Sequence, residues 1–96
     1  MEAMPPLADA EITAALEALD GWTREGDEIV KTFDCGAFAD AIAFVVKVAF
    51  LAEQADHHPD IDIRWKDVRI ALTTHSAKGL TNLDLDLATE IEAIGA

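Results

Sequence analysis

The sequence predicts an α+β domain in which a four-stranded antiparallel sheet carries three helices packed on one face. Two patterns point to it. Segments with apolar residues at helical spacing alternate with pairs of short strands joined by tight turns, and the order reads α-β-β-α-β-β-α. The 96 residues suit one domain of two layers, with residues 1–6 as a tail.

In residues 9–19, Ile12, Leu16 and Leu19 share a helical face with acids on the others, and Asp20-Gly21 ends the segment. Residues 22–24 and 28–35 flank Glu25-Gly26-Asp27. In the second of these, Ile29, Lys31 and Phe33 alternate with Val30, Thr32 and Asp34, so the pair reads as a hairpin. Residues 37–52 are the most apolar stretch, broken only by Asp40 and Lys47. A bilayer span needs about 20 apolar residues. The reading is therefore a helix with one face on the sheet and another for a second copy of the chain; burial within one chain is the alternative.

Pro59 disfavours the helical region for His58, so the long helix should stop just before Asp56-His57-His58-Pro59. Ile61, Ile63 and Trp65 then alternate with Asp62 and Arg64, Lys66-Asp67 turns the chain, and residues 68–74 alternate again as a second hairpin. Leu83, Leu87, Ile91 and Ile94 mark the last helix. Thr81 is placed to cap it, with Asp84 near the positive end of its dipole. Since Glu or Gln completes a full capping box, Asp84 is expected only to approximate one.

Seven basic against nineteen acidic residues give a formal charge of −12, which repels phosphate backbones and anionic bilayers. Nucleic-acid and membrane partners are thereby disfavoured. A single cysteine, Cys35, rules out an intramolecular disulfide and fits a reducing compartment. The N-terminus lacks a basic segment followed by an apolar one, so the expected location is cytoplasmic. A chain this small gains stability by association, which makes a homo-oligomer the expected state.

His57, His58 and His75 all lie near element boundaries, and histidine is the side chain best suited to pass protons near neutral pH. Taken singly each could be a surface histidine. If both hairpins join one sheet, however, the 56–59 corner and the His75 loop can reach a common end. Three imidazoles with Glu53 or Asp84 could in number bind zinc, but adjacent histidines point about 100° apart on a helix, so no metal is expected. Scattered glycines build no phosphate loop, and no cofactor is expected. Cys35 reads as an inert packed thiol, and Ser76 beside His75 supports no nucleophilic triad. Trp22 and Trp65 fall on expected strands, where an aromatic is usually core, although a flat ring could also line a heterocycle pocket.

These residues resemble the pterin-4a-carbinolamine dehydratases. The likeness runs Glu53, three residues, His57-His58-Pro59, five residues, Trp65, nine residues, His75, eight residues, Asp84, and it extends to Asp20-Gly21-Trp22 and Thr73-Thr74-His75. Coverage is about residues 7–94. Ala8 departs from the pattern, where relatives often place a capping Ser or Thr.

The resemblance implies dehydration of a 4a-hydroxytetrahydropterin to quinonoid dihydropterin, without metal or cofactor, in tetrahydropterin recycling. It implies His57 and His75 as general acid and base, His58 as a substrate-binding histidine, and Asp84 as the group that orients or charge-stabilises His75. Glu53, Asp56 and Pro59 would face the pterin, Thr73 and Thr74 its rim, and Trp22 would form an aromatic wall. It further implies a homodimer joined edge to edge through its sheets, or a homotetramer paired through the long helix. A non-catalytic dimerisation or binding module, and a dehydratase-like protein acting on another pterin, are the alternatives.

Overall fold

The computed structural model describes residues 4–95, so the first three residues of the expected tail lie outside it. Among the described residues the elements are α1 (Asp9–Glu17), β1 (Thr23–Glu25), β2 (Glu28–Asp34), α2 (Phe38–Ala55), β3 (Asp60–Arg64), β4 (Asp67–Leu72), a short 3₁₀ turn (His75–Ala77) and α3 (Asn82–Ile94). The strands form one antiparallel sheet in the order β1-β2-β4-β3. The α+β class and the order of helices and strands thus agree with the sequence reading.

Alternation along the strands decides which face is buried. Register sets Ile29 opposite Leu72 and Phe33 opposite Val68, while Ile61 and Ile63 face Ile70 and Val68 from the other side of β4. Apart from Ile63, which is exposed at the sheet edge, these side chains share a core with Ile12 of α1, Phe44 and Val48 of α2, and Leu87 and Ile91 of α3. All three helices therefore cover one face. Each fully buried aliphatic side chain contributes about 1.5–3 kcal/mol relative to exposure.

Several boundaries differ from expectation for local reasons. The first helix ends at Glu17, and Leu19 reaches the core from the turn that follows. No side chain caps this helix at Ala8, but the Glu11 carboxylate accepts the Ala8 N–H at 3.1 Å. The first hairpin turn is two residues where three were expected, because Glu25 joins β1, and the second sits one residue earlier than expected. Gly26-Asp27 links β1 to β2, with Gly26 at φ 62°, the conformation for which such turns select glycine.

In the second hairpin Arg64 pairs with Asp67, so Trp65 and Lys66 form the turn. Trp65 was expected on a strand and in the core. Instead it adopts φ 53° and is 70% exposed, with the Lys66 ammonium 5.4 Å from its ring centroid. One residue of difference in turn position moved it off the sheet.

Trp22 is the opposite case. It lies just before β1, 4% exposed, edge-on to Phe33 at 6.0 Å between centroids. Its indole N–H donates to Glu92 at 2.8 Å, and the same carboxylate oxygen accepts from Lys31. Lys31 also donates to the Asp20 carbonyl at 2.9 Å, so the end of α3, β2 and the α1–β1 turn are tied together.

Long α2 has two apolar sides. Ala41, Phe44, Val48 and Ala52 are buried, whereas Phe38, Ile42, Val46 and Phe50 repeat every fourth residue on the exposed side, with Phe50 73% exposed. No helix among the described residues is long and apolar enough to cross a membrane.

Two predictions follow from this packing. Replacing Ile70, fully buried at the centre of the sheet, by alanine should cost about 2–5 kcal/mol in urea unfolding, and by valine about 0.5–1.5 kcal/mol. The Lys66 hydrogen bond at 2.8 Å, with the Gly36 N–H, holds the Asp34 carboxyl below its usual 3.8. A lowered folded value means the stabilisation is present above the ordinary aspartate range and is lost as pH falls through it. Asp34→Asn should therefore flatten the acid limb of a stability-versus-pH curve slightly, and added salt should shrink the difference between variant and parent.

Candidate functional site

The site begins where α2 stops. Asp56 turns left-handed at φ 49°, its N–H bonds to the Glu53 carbonyl at 3.2 Å, and the His57 N–H bonds to the Ala52 carbonyl at 3.1 Å. This is a Schellman ending with aspartate where glycine is commoner. It folds the chain back on the helix and carries His57 inward, leaving it 9% exposed, while the next residue, His58, stays in solvent.

The second contribution comes from the segment after β4. That strand ends at Leu72, earlier than the expected residue 74, because the chain leaves the sheet to make a closed loop. Thr74 and Gly79 bond to each other through both backbone groups, at 3.1 and 3.4 Å, and the 3₁₀ turn between them displays His75 and Ser76. Buried Leu80 anchors the loop and accepts the Leu7 N–H at 2.8 Å.

The third contribution is the start of α3. Thr81 caps the helix, its Oγ1 accepting the Leu83 N–H at 3.2 Å, and Asp84 Oδ2 accepts the Thr81 N–H at 2.9 Å. The reciprocal box expected to be only approximate is complete with aspartate. The shorter side chain suffices, and it leaves the second oxygen free to point elsewhere.

That oxygen meets His57. Nε2 of His57 lies 2.5 Å from Asp84 Oδ1, and Thr74 Oγ1 donates to Asp84 Oδ2 at 2.8 Å. Asp84 is 0% exposed. A buried carboxylate is tolerable only when its lone pairs are met by donors, and the imidazole, a hydroxyl and a backbone amide do this here. The sequence reading assigned Asp84 to His75; the structure gives it to His57 instead. Both His57 and Thr74 arrive beside α3 through the tertiary fold, which no spacing along the chain records.

His57, His58, Thr73, Thr74 and His75 line one cavity of about 330 Å³ with Asp56, Ser76 and Leu83. The two distant histidine segments therefore converge. Exposed Glu53 sits beside it, 3.5 Å from His58 Nε2. Half-buried Pro59 leads into β3. Thr73 Oγ1 is held by the Asp27 carbonyl at 2.5 Å. Trp22, expected as an aromatic wall, is absent from this lining: it is a core residue committed to Phe33 and Glu92. Ser76 and Leu83 were not expected at the cavity. Only the early end of β4 and the start of α3 could have pointed to them.

Chemically the cavity offers three imidazoles, one tightly anchored and two exposed, the side-chain type best suited to give and take protons near neutral pH. Among the described residues no three His, Cys, Asp or Glu side chains group in a way that could hold a metal ion. Cys35 lies elsewhere, and burial pushes its thiol up, with Asp34, Asp40 and Asp67 adding to the shift.

Comparison with known proteins matches residues 5–94 to the family model described as pterin 4 alpha carbinolamine dehydratase. A protein of Roseiflexus sp. (strain RS-1) named for pterin-4-alpha-carbinolamine dehydratase is 64% identical over 88 residues, covering 92% of this chain and 95% of the relative. One from Nocardia farcinica with the same name is 53% identical, covering 92% and 93%.

Among solved structures, the transcriptional coactivator/pterin dehydratase from Brucella melitensis superposes with a TM-score of 0.91 at 35% identity, covering 95% of this chain and 99% of that one. A pterin dehydratase-like protein described as a RuBisCO assembly factor shares the fold, with a TM-score of 0.63 at 24% identity over 76% of this chain and 84% of that one.

Asp84→Ala would strand the Thr81 amide and the Thr74 hydroxyl and uncap α3. A loss of about 2–4 kcal/mol is expected in chemical unfolding. The raised Cys35 thiol should react with iodoacetamide more slowly than free cysteine at neutral pH, and recovery of the rate in denaturant would confirm that folding causes the delay.

Proposed function

This chain belongs to the pterin-4α-carbinolamine dehydratase family, and on that premise we propose that it dehydrates a 4a-hydroxytetrahydropterin to the quinonoid dihydropterin in tetrahydropterin recycling, by histidine general acid/base catalysis. The observation that carries the reading is the convergence of His57, His58 and His75 on one cavity, with His57 anchored by a buried carboxylate.

The chemistry is redox-neutral. The N5 lone pair forms the C4a=N5 bond as the C4a–O bond breaks, oxygen leaves as water after taking a proton, and the N5–H proton passes to a base. Two groups are needed, one donating and one accepting, and His57 and His75 are assigned these roles. His58, with Glu53 beside it, and Asp56 are assigned to substrate binding, along with Thr73 and the Pro59 corner. Asp84 acts through His57. Trp22 has no part in this scheme.

The oligomer belongs to the same proposal. The exposed row Phe38, Ile42, Val46 and Phe50 on α2 supports pairing of copies through that helix, and β1 and β3 are sheet edges open to pairing. A cytoplasmic location fits the low cysteine use. A binding module without catalysis is the second reading, favoured by the same apolar row.

Stopped-flow decay of enzymatically generated 4a-carbinolamine separates the readings. Micromolar protein should speed decay well above the buffer rate, and His57→Ala and His75→Ala should each lower turnover by about 10²- to 10⁴-fold with the fold intact. Decay at the buffer rate would overturn the catalytic reading. Faster turnover of a different reduced pterin would change the substrate while keeping the chemistry. Light scattering should show a dimer or tetramer, and Phe50→Asp should reduce the assembly; a monomeric parent protein would remove the oligomer from the proposal.

A further inference from the structure

We infer that Thr74 is a positioning residue that holds the His57 imidazole in a single tautomer, with hydrogen on Nε2 and the Nδ1 lone pair facing the cavity. The hydrogens in this network can be followed one at a time. Thr81 Oγ1 accepts the Leu83 amide at 3.2 Å and lies 2.8 Å from Thr74 Oγ1. Thr74 has one hydroxyl hydrogen and gives it to Asp84 Oδ2 at 2.8 Å, so in the threonine pair Thr81 must be the donor. The Thr81 amide donates to the same carboxylate oxygen at 2.9 Å.

Asp84 Oδ2 accepts from both the Thr74 hydroxyl and the Thr81 amide and so carries no hydrogen. The hydrogen between Oδ1 and His57 is assigned to Nε2, across the 2.5 Å contact, because a carboxylate is a weaker base than an imidazole. In the neutral ring this makes Nδ1 the unprotonated nitrogen.

Where Nδ1 faces follows from two facts. Among the described residues it takes no hydrogen bond from protein, and no side-chain nitrogen or oxygen is both buried and unpartnered. Nδ1 accordingly keeps accessible surface, and the opening that His57 lines is the histidine cavity. Nδ1 is thus the atom through which His57 takes its share of the proton transfer, as acceptor in the neutral ring, with His75 left to the opposite step.

Thr74 matters because, among the described residues, it supplies one of the two donors that pin Oδ2 and the one link between Asp84 and the Thr81 hydroxyl. Without it the carboxylate can rotate and the ring loses its fixed acceptor. The residue lines the cavity, yet its hydroxyl is spent on Asp84 and is not available to substrate.

The inference deepens the dehydratase reading and depends on it only for the rate measurement. Nitrogen-15 NMR of the histidine rings, recorded at a pH where His57 is neutral, should show a protonated Nε2 and an unprotonated Nδ1 in the parent protein, as one tautomer and not an average. Thr74→Val, equal in shape but without the hydroxyl, should average the two nitrogens and lower kcat by about 10- to 100-fold with little change in KM, the size of one hydrogen bond to a charged group. Thr74→Ser should restore both.

A parent spectrum with hydrogen on Nδ1, or a Thr74→Val protein that keeps both the single tautomer and the parent kcat, would overturn the inference. The parent spectrum decides the tautomer even if the valine variant does not fold. Inactivity of the parent toward 4a-carbinolamine with the expected spectrum would defeat the substrate assignment and leave the tautomer standing.

Discussion

A carboxylate with no solvent exposure, Asp84, is the constraint around which the site is organised. It closes the cap of α3 through the Thr81 amide, accepts the Thr74 hydroxyl from the loop after β4, and meets the His57 ring from the end of α2. Three separate parts of the chain must be in register for its lone pairs to be met. An unpartnered buried charge costs several kcal/mol, so the network couples the local geometry of the histidine site to completion of the fold. The same bonds that stabilise the start of α3 orient the imidazole.

The sheet and helices serve this arrangement in different ways. Pairing of β2 with β4, and β4 with β3, brings the two hairpins side by side and sets the ends of α2 and β4 near each other. The Schellman ending of α2 and the bridge between Thr74 and Gly79 then turn backbone direction into side-chain placement. Backbone devices of this kind hold a site more firmly than long flexible side chains, because little conformational entropy remains to be lost when substrate binds. His58 and His75 are both exposed beside it.

The rest of the molecule contrasts with this polar corner. The Trp22–Glu92–Lys31 cluster ties the C-terminal end of α3 to β2 and to the turn before β1 with an indole, a carboxylate and an ammonium. The outer side of α2 presents an apolar row on a chain whose formal charge is −12. A high like charge opposes association, so pairing copies through that row would need the burial of Phe38 and Phe50 to outweigh repulsion.

What the sequence by itself determined was the set of elements and their order, because period and punctuation are local. Ile29, Lys31 and Phe33 alternate as a strand must, Leu83, Leu87 and Ile91 recur as a helix must, and Pro59 halts α2 where it should. The three histidines could also be picked out, since their residue type and the family-like spacing are written along the chain.

Only the tertiary structure decided which groups meet. Asp84 bonds His57 and not His75, Thr74 belongs to the carboxylate, Trp22 is core and Trp65 is a left-handed turn residue in solvent. A hydrogen bond between residues 27 positions apart depends on the packing of α2 against α3, and a shift of one residue in a turn carries an aromatic from sheet to solvent. Contacts across the fold and turn registers are settled by competition among all the elements at once, which no local pattern contains.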